Sequence, residues 1–314
     1  MKILVLGGSG FIGSHIVEKL IGQRHSVVVY GRSKNKFKAE TDNVKYILGD
    51  VSNKKLLANT MNGIDMVIHL SWSSVPVGSN GRIQQDLQEN VSNFIYFLDL
   101  MVIKNIRKLI FFSTGGAIYG NTCAGTISEN FMKKPISSYG ITKLMAERYL
   151  HLYEHLHGLQ TIILRPSNPY GPLQNYHKNQ GVIAKFLHLI SEDKPITVYG
   201  DGSVVRDFIY IDDLVEFCMK VIRHFHPGTY HVSSNQGVSI QQIIDVIQYD
   251  AQLNVKIRYK EQRMSDVNRV VLDNSRAQKI FNWRPKVDLL KGIQRTNNWV
   301  LNSKIAVQKE QVGY

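Results

Sequence analysis

The chain opens with a short apolar run followed at once by a cluster of glycines, and these two features together restrict the possible folds most. Lys2–Leu6 has the composition of a buried strand, and Gly7-Gly8-Ser9-Gly10-Phe11-Ile12-Gly13 comes directly after it. A helical pattern with one apolar face follows the last glycine. Glycines permit a tight turn and let backbone N–H groups approach a pyrophosphate at the positive end of the helix. The sequence therefore predicts a βαβ unit whose first turn binds a dinucleotide.

The rest of the first half of the chain repeats this strand–helix rhythm. The short apolar runs, most of them separated by helical patterns, are Lys2–Leu6, Ser26–Tyr30, Val44–Leu48, Asp65–Leu70, Lys108–Phe112 and Gln160–Leu164. Strands that alternate with helices build a parallel sheet covered on both faces. The predicted fold class is α/β: a Rossmann-type, doubly wound parallel sheet joined to a smaller α/β substrate-binding lobe.

The rhythm loosens after Arg165, where three prolines between Pro166 and Pro172 predict a loop that leaves the sheet. We expect residues 1–165 to form the dinucleotide-binding domain and residues 166–314 to form mainly the substrate-binding lobe, with a segment of about 205–232 returning to the first domain. The later patterns predict a helix at Gly181–Ile190, a strand at Pro195–Tyr199, a strand at Arg206–Ile211 and a helix opening at Asp212.

Composition excludes several classes of protein. No run of 18 apolar residues occurs, and no basic region followed by an apolar run opens the chain, so we expect neither a membrane span nor a secretory signal. Cys123 and Cys218 are the only cysteines in the sequence, which favours a reducing compartment, the cytoplasm. The net charge of +13 suits acidic ligands, but net charge alone indicates no binding site, so we expect no nucleic-acid partner.

One pattern resembles a metal site. His151-Leu152-Tyr153-Glu154-His155 matches a zinc-protease spacing. It lies two turns after Lys143 on a predicted helix, where histidines suit the negative end of the helix dipole. We therefore expect polar side chains flanking the apolar stripe and no metal.

The predicted adenosine end of the dinucleotide site departs from the usual pattern. An acidic residue is expected after the second strand to bond the ribose, but Val29-Tyr30-Gly31-Arg32-Ser33 stands there. Arg32 is either a partner for a 2′-phosphate, which would favour NADP over NAD, or a solvated surface residue. Asp50 and Val51 follow the third strand and are placed to meet the adenine, and Leu70 ends the fourth strand beside the same site.

The segment Tyr139-Gly140-Ile141-Thr142-Lys143 opens another predicted helix. A tyrosine and a lysine four residues apart share one helical face. The lysine's charge lowers the pKa of the phenol toward working pH, and this makes the tyrosine a general acid and base for an alcohol or a ketone. Ser113 and Thr114, at the end of the fifth strand, add hydroxyl groups between the glycine cluster and this pair.

With these features the sequence resembles the extended short-chain dehydrogenase/reductase superfamily, specifically its nucleotide-sugar epimerase/dehydratase family, over nearly the whole chain. The matching segments are the glycine cluster Gly7–Gly13, the pair Tyr139 and Lys143, Leu164–Pro172, Gly200–Phe208, Arg263–Val267 and Trp283–Pro285. The resemblance implies a nucleotide-sugar 4-epimerase that uses NAD, passes through a transient 4-keto sugar, and takes a UDP-hexose or UDP-N-acetylhexosamine.

The resemblance also assigns roles on the substrate side. Arg206 and Arg263 would clamp the diphosphate, as planar bidentate donors do, and Asn168 would contact a phosphate or ribose. Val270 would stand beside the sugar's 2-substituent, where a small residue leaves room for an N-acetyl group. The residues expected to line the uracil end are Val182, Phe186, Val198 and Tyr199.

One departure concerns the hydroxyl that the family places four residues before the tyrosine of its Tyr-Gly pair. That pair is Tyr119-Gly120 here, and the position holds Gly115. We expect Thr114 to take over the role through a turn that the glycines at 115 and 116 permit, with Ser113 as the alternative. A 4,6-dehydratase is disfavoured, because Gly116-Ala117 stand where such enzymes carry an Asp-Glu pair.

Two other functions remain open at this point. Gly31-Arg32 favours an NADPH-dependent reductase of a nucleotide-linked 4-keto-6-deoxy sugar, whereas a non-catalytic dinucleotide sensor would need the glycine cluster but not Tyr139 and Lys143. The segment Leu87–Ile103 is apolar on more than one face. Since the resemblance implies that this helix and the Tyr139 helix meet a second subunit, we expect a homodimer.

Overall fold

The computed structural model describes residues 1–33, 43–121, 125–176, 181–250, 252–261 and 267–312, without the side chains of residues 250 and 305–312. The strands are β1 (Lys2–Leu6), β2 (Ser26–Gly31), β3 (Val44–Leu48), β4 (Met66–His69), β5 (Lys108–Phe112), β6 (Gln160–Pro166), β7 (Asn168–Tyr170), β8 (Ile196–Tyr199), β9 (Val205–Tyr210), β10 (Gly228–Val232), β11 (Gly237–Ser239), β12 (Ile257–Lys260) and β13 (Arg269–Val270). The helices are α1 (Phe11–Gly22), α2 (Lys54–Thr60), α3 (Pro76–Ser79), α4 (Ile83–Asp86), α5 (Asn93–Ile103), α6 (Ser138–His157), α7 (Val182–Ser191), α8 (Ile211–Arg223), α9 (Ile240–Asp245), α10 (Ser275–Phe281) and α11 (Leu289–Val312).

The main sheet of the described chain has seven parallel strands in the order β10-β6-β5-β4-β1-β2-β3. The Rossmann-type fold class is therefore confirmed, and the six strands predicted in the first half lie within two residues of their expected ends. The seventh strand, β10, pairs with β6 and places His231 opposite Arg165. The chain reverses direction along the sheet between β1 and β4, and ligands bind at such a switch point in open α/β sheets.

Alternate side chains of each strand point to opposite faces, and both faces of the sheet are covered. In β1, Ile3 and Val5 pack with α1 and α8 on one face, while Leu4 and Leu6 pack with α5 and α6 on the other. All four are completely buried. Strands buried on both faces are continuous apolar runs rather than alternating ones, which is why the sequence displayed these strands so clearly.

The second lobe is built from short strands. Strand β9 is its centre: β11 runs antiparallel to it, and β13 and β7 run parallel to it. Strands β8 and β12 form a separate parallel pair. Helix α7 precedes β8 in the chain and packs against α11 and β8.

The helix predicted at Leu87–Ile103 is part of a longer run that begins with α4, continues as a π-helical segment at Leu87–Ser92 and ends with α5. The apolar residues that indicated several apolar faces are all buried within this chain: Val91, Phe94, Phe97, Leu98 and Met101. They pack in the core layer that also holds Ala146 and Leu150 of α6. Their apolarity is thus explained by the fold itself and does not require a second subunit.

Candidate active site

One deep cleft of about 2180 Å³ runs along the carboxyl ends of β1 to β6 and into the second lobe. A pocket for one drug-sized ligand measures roughly 300–1,000 Å³, so this cleft has room for a dinucleotide and a second ligand. Most of the side chains and glycines predicted as site residues line it: Gly7, Gly10, Phe11, Ile12, Gly13, Arg32, Asp50, Val51, Leu70, Ser113, Thr114, Tyr139, Lys143, Asn168, Val182, Phe186, Val198, Tyr199 and Arg206.

Among the described residues predicted to bind substrate, Val270 does not line the cleft. Val270 is only 2% exposed and packs in a small core cluster with Ile118, Tyr119 and Leu272. Its neighbour Val267, from the same cluster, does line the cleft. The geometry therefore gives no support to a size gate at Val270. Arg263 lies outside the described residues.

The glycine cluster forms a cradle that side chains would fill. Gly7 has a φ of +82°, and a Cβ added to Gly13 would lie 2.4 Å from the carbonyl oxygen of Gly7. Helix α1 begins at Phe11 with neither a side-chain cap nor an acidic residue in its first turn, and Ser9 Oγ finds no partner among the described residues. Unfilled N–H groups and a positive helix end suit an anionic pyrophosphate. The cradle fits a dinucleotide.

The adenosine end of the cleft carries one carboxylate and one arginine. Hydrogen bonds from the backbone and the hydroxyl of Ser52 lower the pKa of Asp50, helped by the charge of Arg32, so this carboxyl group is ionised. Arg32 itself is exposed on the rim. The hydroxyl of Tyr30 donates to the backbone carbonyl of Asp50 at 2.7 Å and fixes the turn after β3.

Helix α6 presents the predicted catalytic pair to the middle of the cleft. Ser137 caps the helix by accepting the N–H of Gly140 at 3.2 Å. Lys143 is 3% exposed, donates from Nζ to the carbonyl of Phe112 at 2.7 Å, and lies 4.0 Å from the centre of the Trp72 ring. Burial lowers the pKa of Lys143 to about 7, although the charges of Glu147 and Asp86 act in the opposite direction.

The pKa of Tyr139 departs from the sequence-based expectation. Burial raises it to about 12, and a hydrogen bond with Thr114 only partly opposes this. The expectation that Lys143 lowers it toward working pH is therefore wrong for this state of the protein. The physical reason is that Lys143 is itself buried and directs its ammonium to the Phe112 carbonyl. A proton leaves Tyr139 readily only when further charge or hydrogen bonding reaches its oxygen.

The two candidate hydroxyls point to different partners. Thr114 bonds to Tyr139, whereas Ser113 donates to Oε1 of the buried Glu147 at 2.5 Å. The glycine at position 115 has a steric cause: a Cβ there would lie 2.2 Å from Leu272 Cδ1 and 3.1 Å from the carbonyl oxygen of Pro166. The hydroxyl beside Tyr139 thus comes from the residue before Gly115.

Thr114→Val keeps the shape of the side chain and removes its hydroxyl. We expect kcat to fall by about 10- to 100-fold, the worth of one hydrogen bond to a charged oxygen, with little change in KM. Steady-state kinetics of this variant beside Ser113→Ala provide the measurement. A loss confined to Ser113→Ala would mean that Ser113 carries the role.

Several residues around the pair were missed from the sequence. Trp72 follows β4 and covers Lys143, and its buried indole N–H has no partner in the described part of the chain. Glu147 pairs with Arg165 at 2.5 Å, with both side chains at most 5% exposed. The position of Glu147, one further turn along α6 from Lys143, is the signal that could have found it. Nothing local marked Trp72.

The histidine pattern on α6 forms no cluster of ligands. Nδ1 of His151 pairs with Glu154 at 3.0 Å on the exposed side of the helix. Among the described residues, no three His, Cys, Asp or Glu side chains are grouped to hold a metal ion. In that same part of the chain, no helix combines the length and apolarity that a bilayer crossing requires.

The family model described as the NAD dependent epimerase/dehydratase family matches residues 3–233. The chain belongs to this family. The family is described as NAD-dependent, and the cradle at Gly7–Gly13 together with the cleft at the sheet's switch point fits that cofactor. The residues that would hold NAD are those of the glycine cluster, Asp50 and Lys143. The expected enzyme class and cofactor are confirmed.

Two curated relatives cover nearly the whole chain. A putative UDP-glucose 4-epimerase of Methanocaldococcus jannaschii is 31% identical over 96% of this chain and 99% of the relative. A dTDP-4-dehydro-6-deoxyglucose reductase of Escherichia coli is 30% identical over 93% of this chain and 95% of the relative. The family thus includes relatives of both reaction types at similar distance.

Two solved structures have the same fold. The UDP-glucose 4-epimerase of Thermotoga maritima, with UDP-glucose, superposes with a TM-score of 0.91 at 29% identity, covering 97% of this chain and 100% of that one. The UDP-N-acetylglucosamine 4-epimerase of Methanobrevibacter ruminantium, in complex with UDP-N-acetylmuramic acid, has a TM-score of 0.90 at 26% identity and covers 96% and 98%.

Proposed function

We propose that this enzyme is a UDP-sugar 4-epimerase that interconverts UDP-hexoses or UDP-N-acetylhexosamines. One observation carries the proposal: Tyr139, Thr114 and Lys143 line the same cleft as the dinucleotide cradle and the second lobe, and Thr114 bonds to Tyr139. The similarity to two 4-epimerases supports it. Gly116 and Ala117 also line this cleft, so the position where a dehydratase needs an acid and a base holds neither.

In the proposed reaction, Tyr139 takes the proton from the sugar's 4-hydroxyl and later gives it back to the 4-keto oxygen. NAD, which the glycine cluster and Asp50 would hold, would supply a reversible hydride acceptor for carbon 4 of the sugar. Thr114 holds the tyrosine oxygen in line with the sugar oxygen. Lys143, one turn along the same face of α6, donates to the Phe112 carbonyl and has to turn its ammonium toward Tyr139 before its charge can stabilise the phenolate. A positive charge beside Tyr139 lowers the pKa of its phenol and thereby opposes the increase that burial causes.

The second lobe would hold the nucleotide end while the sugar turns. Arg206, at the start of β9, lines the cleft and is the one of the two predicted diphosphate arginines that lies among the described residues. Asn168 donates from Nδ2 to the carbonyl of Asp207 at 2.9 Å, which leaves its carbonyl oxygen available to a ligand. Phe186 and Val198 are nearly buried and supply apolar walls for a base. Tethering both ends keeps the keto sugar in the cleft between the two steps.

The reductase remains the second candidate, because one relative carries that name and Arg32 lies at the rim of the adenosine end. The test is incubation with a panel of nucleotide sugars, with and without NADPH. The proposal predicts interconversion of a UDP-hexose or UDP-N-acetylhexosamine with its 4-epimer and no net change in cofactor. Consumption of NADPH in step with loss of a 4-keto-6-deoxy sugar, without any epimerisation, would assign the enzyme as a reductase.

We also propose a homodimer. The α4–α5 run and α6 keep large apolar side chains exposed, namely Leu87 (42%), Ile141 (47%), Leu152 (44%) and Leu156 (59%). Pairing these helices with a second copy would cover them. Sedimentation should give twice the chain mass for the wild type. Leu152→Glu should shift it to the monomer, since Leu152 is 44% exposed and is not one of the buried core residues. A wild-type monomer would contradict the dimer.

A further inference from the structure

A buried carboxylate outside the cleft connects two sides of the catalytic centre. Asp86, the last residue of α4, is 3% exposed and does not line the cleft. Its Oδ2 accepts a hydrogen bond from Ser138 Oγ at 2.5 Å, and its Oδ1 accepts one from Asn90 Nδ2 at 2.6 Å. An ionised carboxylate only accepts hydrogen bonds, so it dictates which atoms its neighbours turn toward it.

On one side, the carboxylate of Asp86 fixes the loop after β4 through Asn90. Because Asn90 must present its amide N–H to Asp86, its carbonyl oxygen points the other way and accepts the backbone N–H of Ser73 at 2.8 Å. Ser73 belongs to the segment Ser71–Ser74, which lines the cleft. Asn90 itself is 5% exposed and lies in the π-helical segment, a helix irregularity that recurs at functional sites.

On the other side, the same carboxylate fixes the start of α6. Ser138, which it binds, directly precedes Tyr139, and the N–H of Ser138 donates to Asn80 Oδ1 at 2.8 Å. The N–H of Tyr139 donates to Ser79 Oγ at 3.2 Å. The α3–α4 region therefore holds the first turn of α6 through both side-chain and backbone groups, and Asp86 is the buried anchor of that contact.

We propose that Asp86 is a positioning residue, whose carboxylate sets the orientation of Asn90 and so aligns the Ser71–Ser74 loop with Tyr139 across the cleft. The expected effect of Asp86 on turnover rests on the proposed function, whereas its expected effect on the Ser71–Ser74 loop does not. The negative charge of Asp86 also raises the pKa of Lys143 and thereby opposes the effect of burial, which is consistent with a carboxylate rather than an amide at this place.

Asp86→Asn tests the orientation directly. An amide has one accepting side and one donating side. When its oxygen keeps the hydrogen bond from Ser138 Oγ, its NH₂ group faces Asn90, and either the contact with Asn90 or the hydrogen bond that Asn90 Oδ1 accepts from the Ser73 N–H is lost. Losing one hydrogen bond should make the Ser73 amide exchange with deuterium about tenfold faster. Misalignment of the loop against Tyr139 should lower kcat about 10²-fold, with KM for the nucleotide sugar nearly unchanged.

The swap Asp86→Asn/Asn90→Asp provides the rescue. The amide at position 86 can accept from Ser138 and donate to the carboxylate at position 90, which in turn accepts the Ser73 N–H. Hydrogen-bond complementarity is restored although the charge has moved one helical turn. We expect the exchange rate to return to that of the wild type and most of the lost kcat to be recovered. Asn90→Asp alone, with two acceptors facing each other, should be as impaired as Asp86→Asn.

The matched control is Asp99→Asn, further along the same helical run, where the carboxylate accepts from Tyr153 and does not line the cleft. It should leave both readouts unchanged. The proposal is overturned if Asp86→Asn exchanges and turns over like the wild type, or if the swap is as impaired as the single variants. If the wild type epimerises no nucleotide sugar, the proposed function fails, while the exchange rates of the four variants still decide the role of Asp86.

Discussion

Tyr139→Phe will lower kcat by about 10²- to 10⁴-fold, the usual worth of a positioned general acid and base. The variant loses one hydroxyl and its bond to Thr114 but retains the ring, so folding and NAD binding should be preserved. The loss should appear in kcat at saturating substrate, because the phenol acts on the proton of the sugar hydroxyl rather than on the nucleotide. Steady-state kinetics with NAD titration of the same preparation provide the measurement.

The matched control is Tyr153→Phe, on the same helix. Tyr153 donates its hydroxyl to Asp99 away from the cleft. Its loss should cost about 1 kcal/mol of unfolding free energy and leave turnover unchanged. Near-normal turnover in Tyr139→Phe would exclude this tyrosine as the acid and base.

Gly13→Ala will weaken NAD binding by about 10²-fold and lower the Tm. The added Cβ would stand 2.4 Å from the carbonyl oxygen of Gly7 and 2.6 Å from Gly8 Cα. These are backbone atoms that cannot rotate away, so the turn must open, and overpacking of this kind costs roughly 1–3 kcal/mol. The same opening moves the N–H groups of the cradle away from the pyrophosphate. Calorimetric titration with NAD measures the loss.

Gly22→Ala separates this effect from the general effect of an alanine in α1. Apart from its chain neighbours and the backbone of its own helix, no atom of the described residues lies within 4 Å of a Cβ added to Gly22, the last residue of that helix. Alanine there should leave NAD affinity unchanged and stabilise the helix by up to about 1 kcal/mol. If Gly13→Ala bound NAD as tightly as Gly22→Ala, the cradle would not be the pyrophosphate site.

The features that the sequence predicted well are those determined by neighbours along the chain. The strand at Lys2–Leu6, the turn that follows it and the spacing of Tyr139 and Lys143 are local patterns, and the structure shows them at the expected positions. Gly115 is an intermediate case. The sequence shows that position 115 has no hydroxyl. The reason for the glycine is the approach of Leu272, which lies 157 residues further along the chain, and only the fold reveals this contact.

The features that the sequence could not predict arise from contacts between distant segments. The pKa of Tyr139 was expected to be lowered, yet burial by the surrounding elements raises it. Val270 is packed in the core because β13 joins the edge of β9, a pairing that two residues of strand do not reveal. Asp86 was not singled out from the sequence, because only the contact of α4 with α6 makes it a buried acceptor.

The fate of the hydrogen on carbon 4 tests the 4-epimerase proposal most directly. UDP-glucose carrying deuterium on carbon 4 is incubated in ordinary water with the enzyme and NAD, and the products are followed by NMR. If the hydrogen leaves carbon 4 and returns to the same carbon within one binding event, UDP-galactose forms with its deuterium retained on carbon 4 and no reduced cofactor accumulates. A product that carries hydrogen from water on carbon 4 would contradict the proposal. So would the accumulation of reduced cofactor when neither UDP-glucose nor a UDP-N-acetylhexosamine is converted to its 4-epimer.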